Sequence, residues 1–123
     1  GGFGAAKNLC DFAFKGADCS VNGDVATAVK KTVEARKPIG ALCISPVILA
    51  KIIGDGEMTI GHDKDTASSI EKMGATHKNS GHGEVVIDEQ YKVFTTPCYM
   101  LDATIVQIYE GATNVVKQML DYM

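Results

Sequence analysis

Lys37-Pro38-Ile39-Gly40-Ala41-Leu42-Cys43-Ile44-Ser45-Pro46 is the stretch on which the fold turns. The lysine before Pro38 is pushed out of the helical region, so any helix upstream ends there. Ile39 to Cys43 is then a short apolar run between two prolines. Such a run reads as a fully buried strand of a parallel sheet, since a half-exposed strand would alternate with polar residues. Ser45-Pro46 opens a helix, because a proline in the first turn loses nothing by lacking an N–H. That helix runs from Val47 to Ile53 and stops at Gly54-Asp55-Gly56.

Working outward, Asp24 is placed to cap a helix reaching about Arg36, with Val25, Val29 and Val33 on one face. Before it, Asp18 to Asp24 is rich in turn residues, and Gly1 to Asn8 reads as a glycine-rich loop running into a helix. Downstream, a second strand, Glu57 to Ile60, leads through Gly61-His62-Asp63 into a helix from about Asp65 to Met73, with Gly74 as its stop. Glu84 to Asp88 and Tyr91 to Thr95 flank Glu89-Gln90 in the pattern of a β-hairpin. Leu101, Ile105, Ile108, Tyr109, Ala112, Val116, Met119 and Leu120 make one apolar helical stripe. Alternating strands and helices argue for an α/β sandwich with a mainly parallel sheet. Neither an internal repeat nor a linker interrupts the 123 residues, so they read as one domain. Two parallel strands and a hairpin are few for such a sheet, which suggests the C-terminal part of a larger domain.

Composition narrows the function classes. The hydrophobic fraction is 46% and the charged fraction 22%, near the values of soluble globular domains. A formal net charge of −3 lacks the electrostatic footprint of a nucleic-acid binder. The longest apolar run, Ile39 to Lys51, is broken by Gly40, Ser45 and Pro46, well short of a membrane span. Cys10, Cys19, Cys43 and Cys98 form no CxxC pair, so neither a zinc knuckle nor a thioredoxin-type dithiol is indicated. A reducing, cytoplasmic setting follows from a chain too rich in core residues to need disulfides.

Cys43 stands out because it ends a strand and meets a helix start directly. A strand-to-helix elbow holds a nucleophile at the C-terminal edge of a parallel sheet, where ligands bind. The positive end of the following helix favours the thiolate, and turn N–H groups stabilise an oxyanion. Position alone leaves this reading level with a small buried hydrophobe ending a core strand. Cys10, Cys19 and Cys98 read as structural. Of the three histidines, His62 is best placed to serve a nucleophile, because it follows the second strand at the same sheet edge. His82-Gly83-Glu84 matches a His-x-Glu pair only in letters, since it leads into a strand rather than closing one. His77, His82 and Glu84 lack the spacing of a metal site, and none is expected. Gly1-Gly2-Phe3-Gly4 is neither a Walker nor a dinucleotide-binding pattern.

Several blocks in order resemble one family: Gly1-Gly2-Phe3-Gly4-Ala5-Ala6-Lys7-Asn8-Leu9, Lys37-Pro38-Ile39-Gly40, Cys43-Ile44-Ser45-Pro46, Met58-Thr59-Ile60-Gly61, Asp65-Thr66-Ala67 and Val93-Phe94-Thr95-Thr96-Pro97-Cys98-Tyr99-Met100. Together they resemble the ElbB family of isoprenoid-biosynthesis (enhancing-lycopene-biosynthesis) proteins, also described as glyoxalases. That family lies in the PfpI-like branch of the class I glutamine amidotransferase-like superfamily. The resemblance implies a flavodoxin-like three-layer sandwich with Cys43 at the nucleophile elbow. It places the N–H groups of Gly2 and Ile44 at the oxyanion positions, Gly1, Thr96 and Pro97 in the substrate pocket, and His62 near a histidine position of related members. It also implies that the family's first strands and a catalytic-site glutamate precede Gly1. Ile44 stands where PfpI-type proteases carry a histidine, and Pro46 where amidotransferases are glycine-rich, so protease and amidotransferase chemistries are disfavoured.

The implied activity is that of a cofactor-independent glyoxalase-type lyase converting small 2-oxoaldehydes to 2-hydroxy acids through the Cys43 thiolate. The competing reading is a redox-sensing or regulatory protein that uses an oxidisable Cys43. The expected partners are a small aldehyde and a second copy of the chain, with no nucleic acid or membrane.

Overall fold

A computed structural model describes residues 1–123. The elements in chain order are α1 (Gly2–Asn8), α2 (Phe12–Lys15), α3 (Gly23–Glu34), β1 (Ile39–Leu42), α4 (Pro46–Ile53), β2 (Glu57–Met58), α5 (Lys64–Lys72), β3 (Thr76–His77), β4 (Val86–Asp88), β5 (Val93–Thr96) and α6 (Ile105–Asp121). Short 3₁₀ turns fill Gly16–Asp18 and Cys98–Met100. This is an α/β chain with a small mixed sheet. Its strands run β1-β5-β4, with β1 parallel and β4 antiparallel to β5, beside a separate parallel pair β2-β3.

The parallel register Ile39↔Val93, Gly40↔Phe94, Ala41↔Thr95, Leu42↔Thr96 puts alternate residues on opposite faces. Ala41 and Val93 join the apolar cluster with Val47, Ile48, Leu49 and Ile70 from α4 and α5. The other face takes α6. Phe94 meets Tyr122 edge-on at 5.1 Å between ring centroids, and a β-carbon on Gly40 would lie 2.7 Å from Met119 Sδ. Gly40 and Gly111 are therefore the packing surface for α6, bringing it within contact of the strands.

The strand–turn–helix unit forms as the two prolines dictate, with Pro46 in the first turn of α4 and Gly54 ending it at φ 69. Other expectations need correction. Gly2 to Asn8 is already helical, so the glycine-rich opening is not a loop. The cap of α3 is Asn22, whose side chain accepts from the N–H groups of Asp24 and Val25, and Asp24 sits inside the helix. Asp63 caps α5 in the same way, through Thr66. Only Ala41 of β1 is buried; Ile39, Gly40 and Leu42 are half-covered because β1 pairs with β5 alone. The hairpin turn spans Glu89 to Lys92, wider than Glu89-Gln90, with Lys92 at φ 54 and Asp88 Oδ1 accepting from Tyr91 N–H at 2.8 Å.

The largest correction concerns α6. Its buried residues are Gly111 and Val115, while Ile105, Tyr109, Val116 and Leu120 face outward, with Ile105 79% and Tyr109 71% exposed. The inner face is chosen by how closely the backbone approaches the sheet, and the glycine that permits the approach carries no hydrophobic signal. No helix is long and apolar enough to cross a membrane.

Candidate functional site

Cys43 stands one residue beyond the end of β1 in a left-handed conformation, φ 64. That region costs a non-glycine residue roughly 1–2 kcal/mol, and such strain persists only where the surroundings enforce it. The surroundings here are explicit. The Cys43 N–H donates to the Thr96 carbonyl at 3.1 Å, extending the β1–β5 ladder by one bond. Ser45 Oγ turns back on the strand, donating to the Leu42 carbonyl at 2.7 Å and accepting from the Leu42 N–H at 3.0 Å. The Ser45 N–H also donates to the Leu42 carbonyl, at 3.2 Å. Ser45 thus staples the turn, while Ile44, between the two anchored residues, donates its N–H to no backbone carbonyl.

Gly2 completes the wall on the other side. A β-carbon there would lie 2.6 Å from the Leu42 oxygen and 2.9 Å from Cys43 Cβ, so only glycine permits this approach. Its N–H belongs to the first turn of α1, where amides have no intrahelical acceptor. Gly2 also approaches the following residue: a β-carbon on it would lie 3.4 Å from the Ile44 amide nitrogen, so the Gly2 backbone and the Ile44 N–H are neighbours at the Cys43 turn.

Cys43, Gly1, Gly2, Leu42, Cys98 and Tyr99 are among the residues lining a cavity of about 400 Å³ at the C-terminal ends of the strands. A larger cavity, about 510 Å³, opens at the opposite ends of β2 and β4, lined by Asp55, Glu57, Asp88 and Glu89. Its carboxylates are occupied: Asp88 Oδ2 accepts from Glu57 N–H, and Asp55 accepts from the Tyr91 hydroxyl, both at 2.8 Å. Phenol and amide hold the Asp55 carboxyl below the usual carboxylate range. In parallel α/β folds the carboxyl ends of strands carry ligand sites, which favours the smaller cavity.

The remaining site expectations fall as follows. Gly1 lines the Cys43 cavity. Thr96 and Pro97 are buried beneath it: Thr96 Oγ1 donates to the Glu84 carbonyl at 2.7 Å, and Pro97 packs against Gly61. His62 is exposed in the turn before α5 and is absent from the cavity lining. Its neighbour Asp63 is committed to Thr66, whose hydroxyl and N–H hold the carboxyl below its ordinary value. His77 Nε2 accepts from the Ile60 N–H at 3.1 Å, and burial lowers its pKa, as befits a neutral structural imidazole. His82 is exposed, and Glu84 binds the Gly81 N–H. His77, His82 and Glu84 do not gather into a metal-binding group.

Cys10 and Cys19 are buried, Cys10 Sγ donating to the Ala6 carbonyl at 2.9 Å. Cys98 differs from both. It is half-exposed, sits at φ 46 in the turn after β5, and faces the Cys43 cavity. Burial pushes its thiol up, and the neighbouring Cys43 adds to the shift. Sequence reading missed this placement because it depends on the β1–β5 register, a contact between residues more than fifty positions apart.

No protein-family model matches the chain. It is 41% identical over 130 aligned positions to the mitochondrial ES1 protein homolog of Rattus norvegicus, covering 98% of the chain and 49% of that protein. It is 39% identical over 130 positions to the mitochondrial glutamine amidotransferase-like class 1 domain-containing protein 3 of Homo sapiens, covering 98% and 48%. The fold matches the crystal structure of an isoprenoid biosynthesis protein with an amidotransferase-like domain from Ehrlichia chaffeensis. That match has a TM-score of 0.87 at 30% identity, covering 99% of this chain and 56% of the other. The chain thus spans about half the length of the curated relatives it matches. The strained cysteine at the strand–helix elbow lies in a chain similar, over about half of their length, to ES1 and class I glutamine amidotransferase-like proteins.

Proposed function

We propose that the protein acts on small 2-oxoaldehydes such as glyoxal and methylglyoxal, converting them to 2-hydroxy acids without a cofactor. The observation that carries this reading is Cys43 at φ 64, opening on a cavity of about 400 Å³ between two amide-bearing turns. The Cys43 thiolate adds to the aldehyde carbon, forming a hemithioacetal whose oxyanion accepts from the Gly2 and Ile44 N–H groups. A proton then moves from the former aldehyde carbon to the adjacent carbonyl carbon through an enediolate, giving a thioester of the 2-hydroxy acid. Water hydrolyses the thioester and frees the thiol. The proton needs a carrier. His62, exposed and outside the cavity lining, is at most a helper to that carrier. The glutamate implied by the family resemblance would belong to the part of the relatives' length that this chain does not span.

The wider setting belongs to the same proposal. The Ehrlichia chaffeensis protein is titled for isoprenoid biosynthesis, and a link to that metabolism extends here by similarity. Four free thiols suit a reducing compartment, the cytoplasm on the sequence reading and the mitochondrion in the names of the rat and human proteins. Assembly as a homodimer is the expected state, to be read from solution mass. A regulatory role through oxidation of Cys43 is the second reading, favoured by Cys98 in the same cavity.

The test is to incubate the protein with methylglyoxal and quantify lactate. Turnover that disappears in Cys43→Ala is expected. Lactate formation that survives this substitution, or none from the unaltered protein, would contradict the proposal.

A further inference from the structure

Two cysteines occupy equivalent places at the ends of neighbouring strands. Leu42 and Thr96 are register partners, and Cys43 and Cys98 follow them by one and two residues. The Cys43 N–H bond to the Thr96 carbonyl at 3.1 Å keeps the two chains side by side up to the turn. Adjacent strands lie roughly 4.8 Å apart, so the turns that carry the two cysteines begin side by side at Leu42 and Thr96. Both cysteines are left-handed, at φ 64 and φ 46, although neither is glycine. Both are partly exposed and line one cavity, whereas Cys10 and Cys19 are buried elsewhere. A cysteine needed only to fill the core has no reason to sit half-exposed in a strained turn facing another thiol.

We propose that Cys98 is the resolving thiol for Cys43, so that oxidation of Cys43 by a hydroperoxide is captured as a reversible Cys43–Cys98 disulfide that shuts the cavity to aldehyde. This rests on the reading of Cys43 as a reactive thiol. In the first step the Cys43 sulfur attacks one peroxide oxygen and the O–O bond breaks. With hydrogen peroxide the other oxygen leaves as water, taking the proton given up by the Cys43 thiol, and Cys43 becomes a sulfenic acid. In the second step the Cys98 sulfur attacks the sulfenic sulfur and displaces hydroxide. Burial holds Cys98 protonated near neutral pH, so its proton goes to the departing hydroxide, making the second water. The two thiols together lose two electrons, and the peroxide gains them. A dithiol reductant reverses the bond. Without Cys98, the sulfenic acid stays open to further peroxide and proceeds to irreversible sulfinic acid.

The test treats the protein with hydrogen peroxide and maps its peptides without reduction, alongside Cys98→Ser and Cys98→Ala. The expected result is a Cys43–Cys98 cross-linked peptide, with loss of two hydrogens from the intact mass, and full recovery of the Cys43 thiol on reduction. In both variants Cys43 should gain two oxygens and lose roughly tenfold or more of its recoverable thiol over the same exposure. Sulfinic Cys43 in the unaltered protein at the variants' rate, without the cross-link, would overturn the pairing while leaving Cys43 reactive. Failure of iodoacetamide to label Cys43 ahead of Cys10 and Cys19 in either variant would instead remove the reading beneath it. The peptide map of the unaltered protein needs no variant to fold, so it decides alone if both substitutions prove unstable.

Discussion

The α-carbon of Gly2 faces the Leu42 carbonyl so closely that a β-carbon would stand 2.6 Å from its oxygen, nearer than a real side chain tolerates. This contact joins the first helical turn of the chain to the end of β1, and it leaves one wall of the Cys43 cavity without a side chain. Gly2→Ala must push α1 away from the elbow, because the obstructing atom is backbone. The expected cost is about 1–3 kcal/mol of stability, typical of overpacking at a rigid contact. Thermal unfolding reads the stability, and a slower Cys43 alkylation rate reports the displaced wall.

The strain at Cys43 has its own signature. At φ 64 a glycine is relieved of the left-handed penalty and alanine is not. Cys43→Gly is therefore expected to be about 1 kcal/mol more stable than Cys43→Ala, the reverse of the order found inside a helix or strand. Denaturant titration of the two variants checks this. Both should be inactive toward 2-oxoaldehydes.

Asp88 is a structural carboxylate at the far end of the sheet. It is buried, and its two oxygens accept from the N–H groups of Glu57 and Tyr91, both at 2.8 Å. Asp88→Ala leaves both donors short of a partner and should cost about 2 kcal/mol or more, with Cys43 alkylation unchanged in the folded protein. Denaturant unfolding and thiol labelling together separate this effect from damage to the elbow.

His77 gives the protein a pH dependence. Burial lowers its folded-state pKa below the ordinary 6.5, with Glu71 opposing, and Nε2 accepts from the Ile60 N–H. The unfolded chain therefore binds more protons in that window. Stability is fully present above about pH 6.5 and falls as the pH drops from there toward the lower folded-state value. His77→Gln, which keeps an acceptor and does not titrate, should flatten the pH profile of the unfolding midpoint over that range.

Much of this was legible in the sequence where punctuation was local. Pro38, Pro46 and Gly54 bracket β1, the elbow and α4, and each acts through its own backbone constraint. The hairpin was legible from two apolar runs around polar residues. The inner face of α6 was not, because Gly40 and Gly111 make the contact and Ile105, Tyr109 and Leu120 are left outside. Nor was Cys98 legible as a neighbour of Cys43. Its placement follows from the long-range register Leu42↔Thr96, which no local pattern encodes. Asn22 displaced Asp24 as a cap for a smaller reason: both residue types cap helices, and only the geometry chooses between adjacent candidates.

The measurement closest to the central claim is the rate of iodoacetamide modification at each of the four cysteines, read by peptide mass under native conditions. Cys43 should react roughly tenfold or more faster than Cys10, Cys19 and Cys98, as expected of a partly exposed thiol beside a helix start and unpaired amides. Modification of Cys43 at a rate no greater than that of Cys98 would contradict the account.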